Sequence, residues 1–328
     1  MKSPTLSISP ARKEGGLKLV VQIPAFNEAA TLARTIADVP RQLPGVAKVE
    51  VLVIDDGSSD QTGSVAAGSG ADRVVRFPAN RGLAMAFQKG LEESLDMGAD
   101  IVVNFDGDNQ YPGSYIPQLI APIVEGRADI VLGERDFDSI PHFSAAKKFL
   151  QRFGSAVVSR LSGVACRDAT TGFRAFSREA AQGLYVAGMF TYTLETLFLA
   201  GARKLHVQAI RITTNPRTRD SRLFKSSFEY VLRSIGTIVR TSMRYRATAV
   251  ASWLSFPLFL VGLAVIARFF LYHFVLEPEG TGHVQSLVLA GVLITVGVIL
   301  VGLGLVADGI ATNRRLLEEI LTKIRKRD

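Results

Sequence analysis

The sequence is poor in the residues that build covalent links and soft-metal sites. Only one of its 328 residues is cysteine, Cys166, and only four are histidine. A single cysteine excludes an intramolecular disulfide and a cysteine-cluster metal site, so we expect Cys166 to be a small core residue and not a nucleophile. None of the histidines lies in a motif described below, and we expect all four to be structural or exposed: His142, His206, His273 and His283.

The chain also has few acids relative to its basic residues, 30 against 38, which gives a net charge of +8. The excess is local, with nine Lys or Arg against two acids over residues 211–246 and six against three from residue 311 onward. Because these segments flank long apolar runs, the charge indicates an anionic membrane face and argues against a nucleic-acid partner. The polar first sixteen residues predict a flexible tail without a secretory signal.

Two apolar runs in the C-terminal third are each about as long as a hydrocarbon core requires. They predict a transmembrane hairpin over residues 247–310, with spans at about 247–274 and 286–307. The connection between the spans carries no Lys or Arg, whereas both outer flanks are basic. The positive-inside rule therefore predicts a multi-pass protein of the cytoplasmic (inner) membrane, with both termini, including the basic tail 311–328, in the cytosol.

The segment before the first span, residues 227–246, alternates apolar residues with arginines. This pattern predicts an amphipathic basic helix lying in the membrane interface. An ordinary surface helix of the preceding domain is the alternative.

Short apolar runs alternate with helical patterns from Leu17 to Arg135. This order predicts βαβ units and an α/β fold with a mostly parallel, doubly wound sheet. Ligands of such sheets bind beyond the carboxyl ends of the strands, and polar residues follow the predicted strands here. The predicted strands are Leu17–Pro24, Val49–Asp56, Asp72–Phe77, Asp100–Asp106 and Ala128–Glu134.

The stretch Ile101–Pro112, IVVNFDGDNQYP, joins a buried-strand pattern to an acidic turn. Asp106 and Asp108 are one residue apart and repel each other, so we expect a positive group between them. A hard divalent cation carried by a nucleotide diphosphate fits this requirement. Gly107 would let the backbone approach a ligand, and Gln110 could add a neutral oxygen. A solvated Asp-Gly turn is the alternative.

Seven ordered motifs within residues 17–226, followed by the hairpin, resemble glycosyltransferase family 2. Within it they are most similar to the polyprenyl-phosphate sugar synthases, such as dolichol-phosphate mannose synthase and the bacterial undecaprenyl-phosphate glycosyltransferases. The motifs are IPAFNE (Ile23–Glu28), VIDDGSSD (Val53–Asp60), NRGLAMAFQKG (Asn80–Gly90), DGDNQYP (Asp106–Pro112), GERDF (Gly133–Phe137), DATTGFRAF (Asp168–Phe176) and TRDSRLFKS (Thr218–Ser226).

The resemblance implies a GT-A fold over residues 17–226 and inverting transfer of a sugar from a UDP- or GDP-sugar to polyprenyl phosphate. It implies that Asp108 and Gln110 ligate Mg²⁺ or Mn²⁺ and that Arg135 faces the phosphates. A homo-oligomer stays open, because the sequence does not fix the oligomeric state. The family's Asp-Ala-Asp reads Asp-Gly-Asp here, which we expect to be harmless. The nucleotide-sugar site would comprise Pro24, Phe26, Glu28, Ile54, Asp55, Asp56, Asp106, Gly107, Asp108, Gln110 and Arg135.

A lipid phosphate is already ionised near neutral pH, so its attack on the sugar needs no strong general base. Catalysis then reduces to aligning two anions and neutralising the departing diphosphate. We expect Asp106, Asp108, Arg135 and Arg222 to be the catalytic residues. The candidates for the acceptor phosphate are Lys148, Arg152, Arg174, Arg219, Ser221, Arg222 and Lys225, and solvated surface residues are the alternative.

Two other functions remain open. A processive polysaccharide synthase shares the front motifs, but such enzymes resemble one another in a Gln-x-x-Arg-Trp motif, and the only tryptophan here, Trp253, lies in the first span. A non-catalytic membrane scaffold could retain the fold, although the intact Asp106, Asp108 and Gln110 argue against decay. The sequence identifies neither the sugar nor the length of the lipid.

Overall fold

The structure is a computed structural model that describes residues 16–137, 145–186, 192–216, 236, 247–276 and 284–325. The chain forms two compact units, Met1–Ser234 and Ile235–Asp328. Four of the predicted acceptor residues, and all of the predicted amphipathic helix 227–246 except Gly236, lie outside the described residues. The four are Arg219, Ser221, Arg222 and Lys225.

The first unit consists of seven strands and seven α-helices among the described residues. In chain order they are β1 (Leu17–Ala25), α1 (Leu32–Ala37), β2 (Val46–Asp55), α2 (Thr62–Gly68), β3 (Arg73–Arg76), α3 (Leu83–Asp96), β4 (Ile101–Asn104), a 3₁₀ turn (Gly113–Tyr115), α4 (Ile116–Val124), β5 (Ile130–Arg135), α5 (Ala145–Ser162), β6 (Arg174–Ser177), α6 (Arg178–Gly183), α7 (Tyr192–Arg203) and β7 (Val207–Ile212).

All seven strands belong to one sheet in the order β3-β2-β1-β4-β6-β5-β7. Every neighbouring pair is parallel except the two that involve β6, which runs antiparallel to both β4 and β5. The predicted mostly parallel sheet is therefore confirmed. Because β6 is reversed, it begins at the edge where β4 and β5 end, and the loop before it reaches that edge.

Helices cover both faces of the sheet, which explains why its central strands read as nearly continuous apolar runs. Alternate residues of β1, including Val21 and Ile23, pack in the core on the side of α1 and α4. The residues between them face the other side, where α3 contributes Phe87 and α7 contributes Tyr192, whose rings stack at 4.0 Å. A polar residue on that face, Gln22, is completely buried.

Two strands escaped the sequence-based prediction. β6 is only four residues long and lies inside the motif DATTGFRAF, which reads as a loop. β7 is an edge strand that alternates exposed and partly buried residues. Both pair with β5, whose register against β7 runs from Ile130 opposite Val207 to Arg135 opposite Ile212.

The second unit contains two long helices, α8 (Ala247–Leu271, followed by a π-helical turn, Tyr272–Leu276) and α9 (Val284–Arg325). Both are long and apolar enough to cross a membrane, over residues 247–274 and 284–313. α9 does not end with its apolar part but continues through most of the predicted basic tail, to Arg325. At this same end of the pair, the Asp308 carboxylate accepts the N–H groups of Ala247 and Thr248 at 2.9 and 3.2 Å, which caps the first turn of α8.

Candidate active site

Four parallel strands, β1, β2, β4 and β5, end at the same edge of the sheet, and each is followed by one of the quoted motifs. The loop before β6, residues 168–173, reaches this edge from the opposite direction because β6 is antiparallel. The strand order thus brings residues that are about 150 positions apart in the sequence into one site.

Asp106 lies two residues beyond the end of β4, and its carboxylate packs against the backbone of Gly172. A Cβ atom added at Gly172 would lie 2.6 and 2.8 Å from the two carboxylate oxygens of Asp106. Burial, and then repulsion by the Asp108 carboxylate, raise the pKa of Asp106 to about 7. Two carboxylates that repel each other in this way are a poor site for neutral ligands and a good one for a cation.

The turn that carries Asp108 is held by hydrogen bonds from distant segments. The Asp108 carboxylate accepts the backbone N–H of Gln110 at 3.0 Å. Asn215, just beyond β7, donates its N–H to the Gln110 carbonyl at 2.9 Å and its side-chain amide to the Asn109 carbonyl at 3.0 Å. Asn109 adopts a positive φ of 56°, which closes the turn. The positions of Asp108 and Gln110 therefore depend on β7 as well as on β4.

The small residue between the two carboxylates is also anchored. The Gly107 carbonyl accepts the hydroxyls of Thr31 and Thr35 at 2.9 and 3.1 Å. A Cβ atom at Gly107 would come no closer than 3.4 Å to any atom, the nearest being the carbonyl oxygen of Pro24, so an alanine fits here.

Arg135, the last residue of β5, is clamped by a carboxylate that the sequence reasoning did not assign. Its Nε and Nη2 donate to the two Asp168 oxygens at 2.6 and 3.0 Å, and Nη2 also donates to the Thr170 hydroxyl at 2.8 Å. Asp168 is completely buried. Burial acts to raise the pKa of Asp168, but the Arg135 guanidinium holds this pKa below its usual value. The signal in the sequence was the acid at the start of DATTGFRAF, opposite the arginine of GERDF.

A buried polar network near Asp106 supports the loop of residues 168–173. Asn104 donates its side-chain amide to the Gly172 carbonyl and to the Tyr192 hydroxyl, both at 2.9 Å, and its Oδ1 accepts from Gln22 at 3.0 Å. All three side chains are buried. A polar residue inside an apolar strand, such as Asn104, was the available sequence signal for this network.

Arg174 was expected to meet the acceptor phosphate, and that prediction is wrong. Its side chain has no exposed surface. Its Nε and Nη2 donate to the carbonyls of Thr171 and Ala169, both at 2.9 Å, and Nη1 donates to the carbonyl of Thr193 at 2.7 Å and the hydroxyl of Thr196 at 2.5 Å. Arg174 therefore braces the loop that carries Asp168 and Gly172, and it does so from inside the protein.

Two predicted nucleotide contacts are also buried completely, Ile54 and Asp55. Asp55 accepts the N–H of Ser58 at 2.9 Å and lies 3.4 Å from the Arg76 guanidinium. Because β2 is covered on both faces, these two side chains have no exposed surface, and a contact between these residues and the nucleotide stays a prediction. Asp56 is nearly buried, and it accepts N–H groups from the segment before α3 at 2.7 to 3.1 Å.

The remaining predicted nucleotide contacts lie at the end of β1. Pro24 is buried in the strand, whereas Phe26 is 38% exposed at the edge of the site. Glu28 is mostly buried, and its carboxylate accepts the Thr31 hydroxyl at 3.1 Å. Thr31 also holds Gly107, so this segment and the acidic turn are joined.

The two described acceptor candidates that lie on α5 are Lys148, which is partly exposed, and Arg152, which is exposed. Arg152 lines a cavity of about 410 Å³ next to Arg135. The structure thus brings Arg152 to the end of β5 and separates it from the buried Arg174.

The donor set fits a divalent cation that also binds a diphosphate. Within the described part of the chain, no group of three or more His, Cys, Asp or Glu could enclose a metal ion by itself. Asp106 and Asp108 nevertheless carry hard oxygen atoms, and a cation between them would relieve the repulsion that helps to raise the pKa of Asp106. Two carboxylates leave most of the coordination sphere to phosphate oxygens and water, as Mg²⁺ prefers.

Known proteins are similar to this chain in sequence. The model described as glycosyl transferase family 2 matches residues 20–184, just over half of the chain. UDP-N-acetylglucosamine–dolichyl-phosphate N-acetylglucosaminyltransferase of Methanococcus voltae is 27% identical, over 58% of this chain and 83% of its own length. Polyprenol monophosphomannose synthase of Mycolicibacterium smegmatis is 29% identical, over 52% of this chain and 65% of its own length.

A solved structure agrees with the fold. Glucosyl-3-phosphoglycerate synthase of Mycobacterium tuberculosis, in complex with Mn²⁺, UDP and glucosyl-3-phosphoglycerate, superposes with a TM-score of 0.52 over 75% of this chain and 84% of its own. The two sequences are only 22% identical, so the likeness concerns the fold. The chain belongs to glycosyltransferase family 2 and has a GT-A fold, followed by two helices long enough to cross a membrane.

Proposed function

We propose that this enzyme transfers a sugar, with inversion, from a UDP- or GDP-sugar to polyprenyl phosphate. The observation that carries the proposal is the meeting of Asp106 and Asp108 with the clamped Arg135 at the carboxyl edge of one sheet. The names of two relatives, a dolichyl-phosphate N-acetylglucosaminyltransferase and a polyprenol monophosphomannose synthase, support the acceptor class.

The reaction follows from the charges at this edge. A lipid phosphate oxygen attacks the anomeric carbon, and the bond from that carbon to the diphosphate oxygen breaks. The nucleophile is already anionic, so the protein's work is to align the reactants and to stabilise the departing charge. Arg135 can hold its positive charge in place because Asp168 takes two of its nitrogens.

We further propose that Asp106, Asp108 and Gln110 hold Mg²⁺ or Mn²⁺ together with the diphosphate. A bound divalent ion would supply Lewis-acid stabilisation of the leaving group. The hydrogen bonds that fix the turn, from Asn215 and to Gly107, hold these ligands in position before substrate arrives.

We propose that α8 and α9 cross the cytoplasmic membrane as a hairpin, with the first unit in the cytosol. The length and apolar character of the helices support this, and so does the basic composition of the sequence outside them. The arrangement places the donor site in the compartment that contains nucleotide sugars and the hairpin in the bilayer that contains the lipid acceptor.

The test uses the purified full chain with undecaprenyl phosphate and a panel of UDP-glucose, UDP-N-acetylglucosamine and GDP-mannose. We expect one donor to give a glycolipid, identified by its mass. EDTA should abolish transfer and Mg²⁺ or Mn²⁺ should restore it.

Asp108→Asn should lose most activity because a charged ligand of a hard ion is removed. Asp96→Asn, an exposed carboxylate at the end of α3 near the opposite edge of the sheet, should remain active. No glycolipid from any donor, or full activity of Asp108→Asn in EDTA, would contradict the proposal.

A further inference from the structure

Exposed aromatic residues of the first unit are concentrated on α5. Among the described residues of the first unit, six large apolar side chains are more than about a third exposed. Three of these six are on α5. The two most exposed are Phe149, at 70%, and Phe153, at 58%. Their rings are nearly parallel, with centroids 6.3 Å apart. The six are Phe26, Met85, Phe149, Leu150, Phe153 and Tyr185.

The opposite face of α5 is packed normally, so the exposed phenylalanines do not result from a misfitted helix. Val158 and Ser162 are almost completely buried, and the Ser155 hydroxyl accepts the N–H of Ala169 at 3.1 Å. This inner face fixes α5 against the loop of the active site. Phe149 and Phe153 are four residues apart and therefore lie on one outer stripe, one turn from each other.

The charge of α5 has one sign. Its eighteen residues contain no aspartate or glutamate, and its basic residues include Lys148, Arg152 and Arg160. An apolar aromatic stripe combined with basic residues and no acids is the pattern of helices that lie in a membrane interface. A second copy of the chain fits this surface less well, because it would bring a second positive helix against the first.

The side of α5 next to the stripe opens into the cavity of about 410 Å³ described above. Arg152 and Ala156 line it from α5, and it is bordered by four arginines but only two acids, Glu134 and Asp136. The four arginines are Arg135, Arg152, Arg167 and Arg211. Anionic head groups would therefore meet a favourable field on this side of the helix.

We propose that α5 docks on a bilayer that contains anionic phospholipids, with Phe149 and Phe153 entering between the head groups. The arginine-lined cavity is then held at the level of the lipid phosphates. The link from this docking to the lipid acceptor rests on the proposed function. The docking itself requires only a membrane, so the two can fail separately.

The experiment uses the single tryptophan, Trp253. In the full chain with Trp253→Phe, a Phe153→Trp substitution places the only indole on the outer stripe, at an exposed site that tolerates it. The control is Ser64→Trp in the same background, on α2 beside β3, at the opposite end of the sheet. Both proteins are reconstituted in vesicles of phosphatidylcholine and phosphatidylglycerol, with phospholipids brominated near the head-group end of the acyl chains.

We expect the Phe153→Trp protein to lose emission in proportion to the brominated lipid, and the Ser64→Trp protein to keep its emission. Equal quenching at the two positions, or none at position 153, would overturn the docking. If the indole were shielded from water but not quenched by the brominated lipid, the stripe would be assigned to contact with a second copy. That result would also overturn the docking. Quenching at position 153, together with no sugar transfer by the wild-type protein, would leave the docking intact and reject the proposed function.

A kinetic measurement links the docking to the acceptor. Phe149→Gln combined with Phe153→Gln should raise the apparent KM for polyprenyl phosphate in vesicles and leave the KM for the nucleotide sugar unchanged. In detergent micelles, where no flat bilayer has to be reached, both constants should match the wild type. A changed KM for the nucleotide sugar would indicate a disturbed fold and reject the link.

Discussion

Replacing Asp168 by asparagine tests whether the Arg135 guanidinium works only when it is held in place. The substitution keeps the shape of the side chain but removes its charge and turns one acceptor oxygen into a donor. That amide would face either Nε or Nη2 of Arg135, which donate to Asp168 at 2.6 and 3.0 Å. One of the two contacts must therefore break, and the guanidinium must move or rotate.

The expected effect on stability follows from burial. Asp168 is completely buried, and the Arg135 side chain is 14% exposed. Breaking a buried ion pair by removing one partner lowers the free energy of unfolding by about 3–5 kcal/mol. Because Arg135 is partly exposed, we expect a loss at the lower end of this range, about 3 kcal/mol. Asp96→Asn removes only an exposed carboxylate, and it should change that free energy by less than about 0.5 kcal/mol.

The same substitution also lowers catalysis, through the hydrogen bond that Arg135 loses. One lost hydrogen bond between charged groups is worth about 1.5–3 kcal/mol, which corresponds to a loss of roughly 10- to 150-fold in kcat/KM. The assay is glycolipid formation in detergent at saturating polyprenyl phosphate, at a temperature where denaturant titration shows the variant to be folded. Normal kinetics in a destabilised Asp168→Asn protein would show that Arg135 has a structural role only, which would refute the reasoning.

The pH dependence of stability provides a second check on the same pair. The pKa of Asp168 is lowered in the folded protein. Its contribution to stability is therefore complete above the unfolded value of about 4 and is lost as the pH falls further. The difference in unfolding free energy between the wild type and Asp168→Asn should shrink over that acidic range and stay constant near neutral pH.

Two further predictions concern a pair of glycines and the topology. Gly107→Ala should keep activity within about twofold, because its Cβ meets ordinary contact distances, whereas Gly172→Ala should lose most activity, because its Cβ would lie 2.6 Å from the carboxylate of Asp106; equal effects in the transfer assay would contradict both. A cysteine at Gly280, in the predicted external loop, should react with an impermeant thiol reagent on intact cells. Cys166 should stay unlabelled in the same cells, because it is buried and burial raises the pKa of its thiol to about 11; labelling at position 280 only after the cells are opened would overturn the orientation.

The parallel part of the sheet was predictable because its strands are apolar on both faces and alternate with helices. β6 was not, since four residues in a polar motif carry no periodic signal, and only pairing with β4 and β5 makes them a strand. The acidic turn could be predicted as a site because two carboxylates one residue apart need a positive partner. That argument is local and needs no tertiary information.

The role of Arg174 shows where such reasoning stops. An arginine in a polar motif is expected at the surface, and its burial is stable only because carbonyls from Ala169, Thr171 and Thr193 converge on it. The pairing of Arg135 with Asp168, 33 residues away in the chain, likewise depends on the fold. Contacts assembled from separate segments are decided by the packing of the fold, and a motif alone does not reveal them.

The length of α9 has a consequence for the C-terminal end of this molecule. Its 42 residues rise about 63 Å at 1.5 Å per residue, about twice the thickness of a hydrocarbon core of about 30 Å. If residues 284–313 lie in the membrane, the twelve residues 314–325 continue the helix for about 18 Å on the side of Arg325. A spin label at Arg325 should report a solvent-exposed environment about 18 Å beyond the apolar part of the helix.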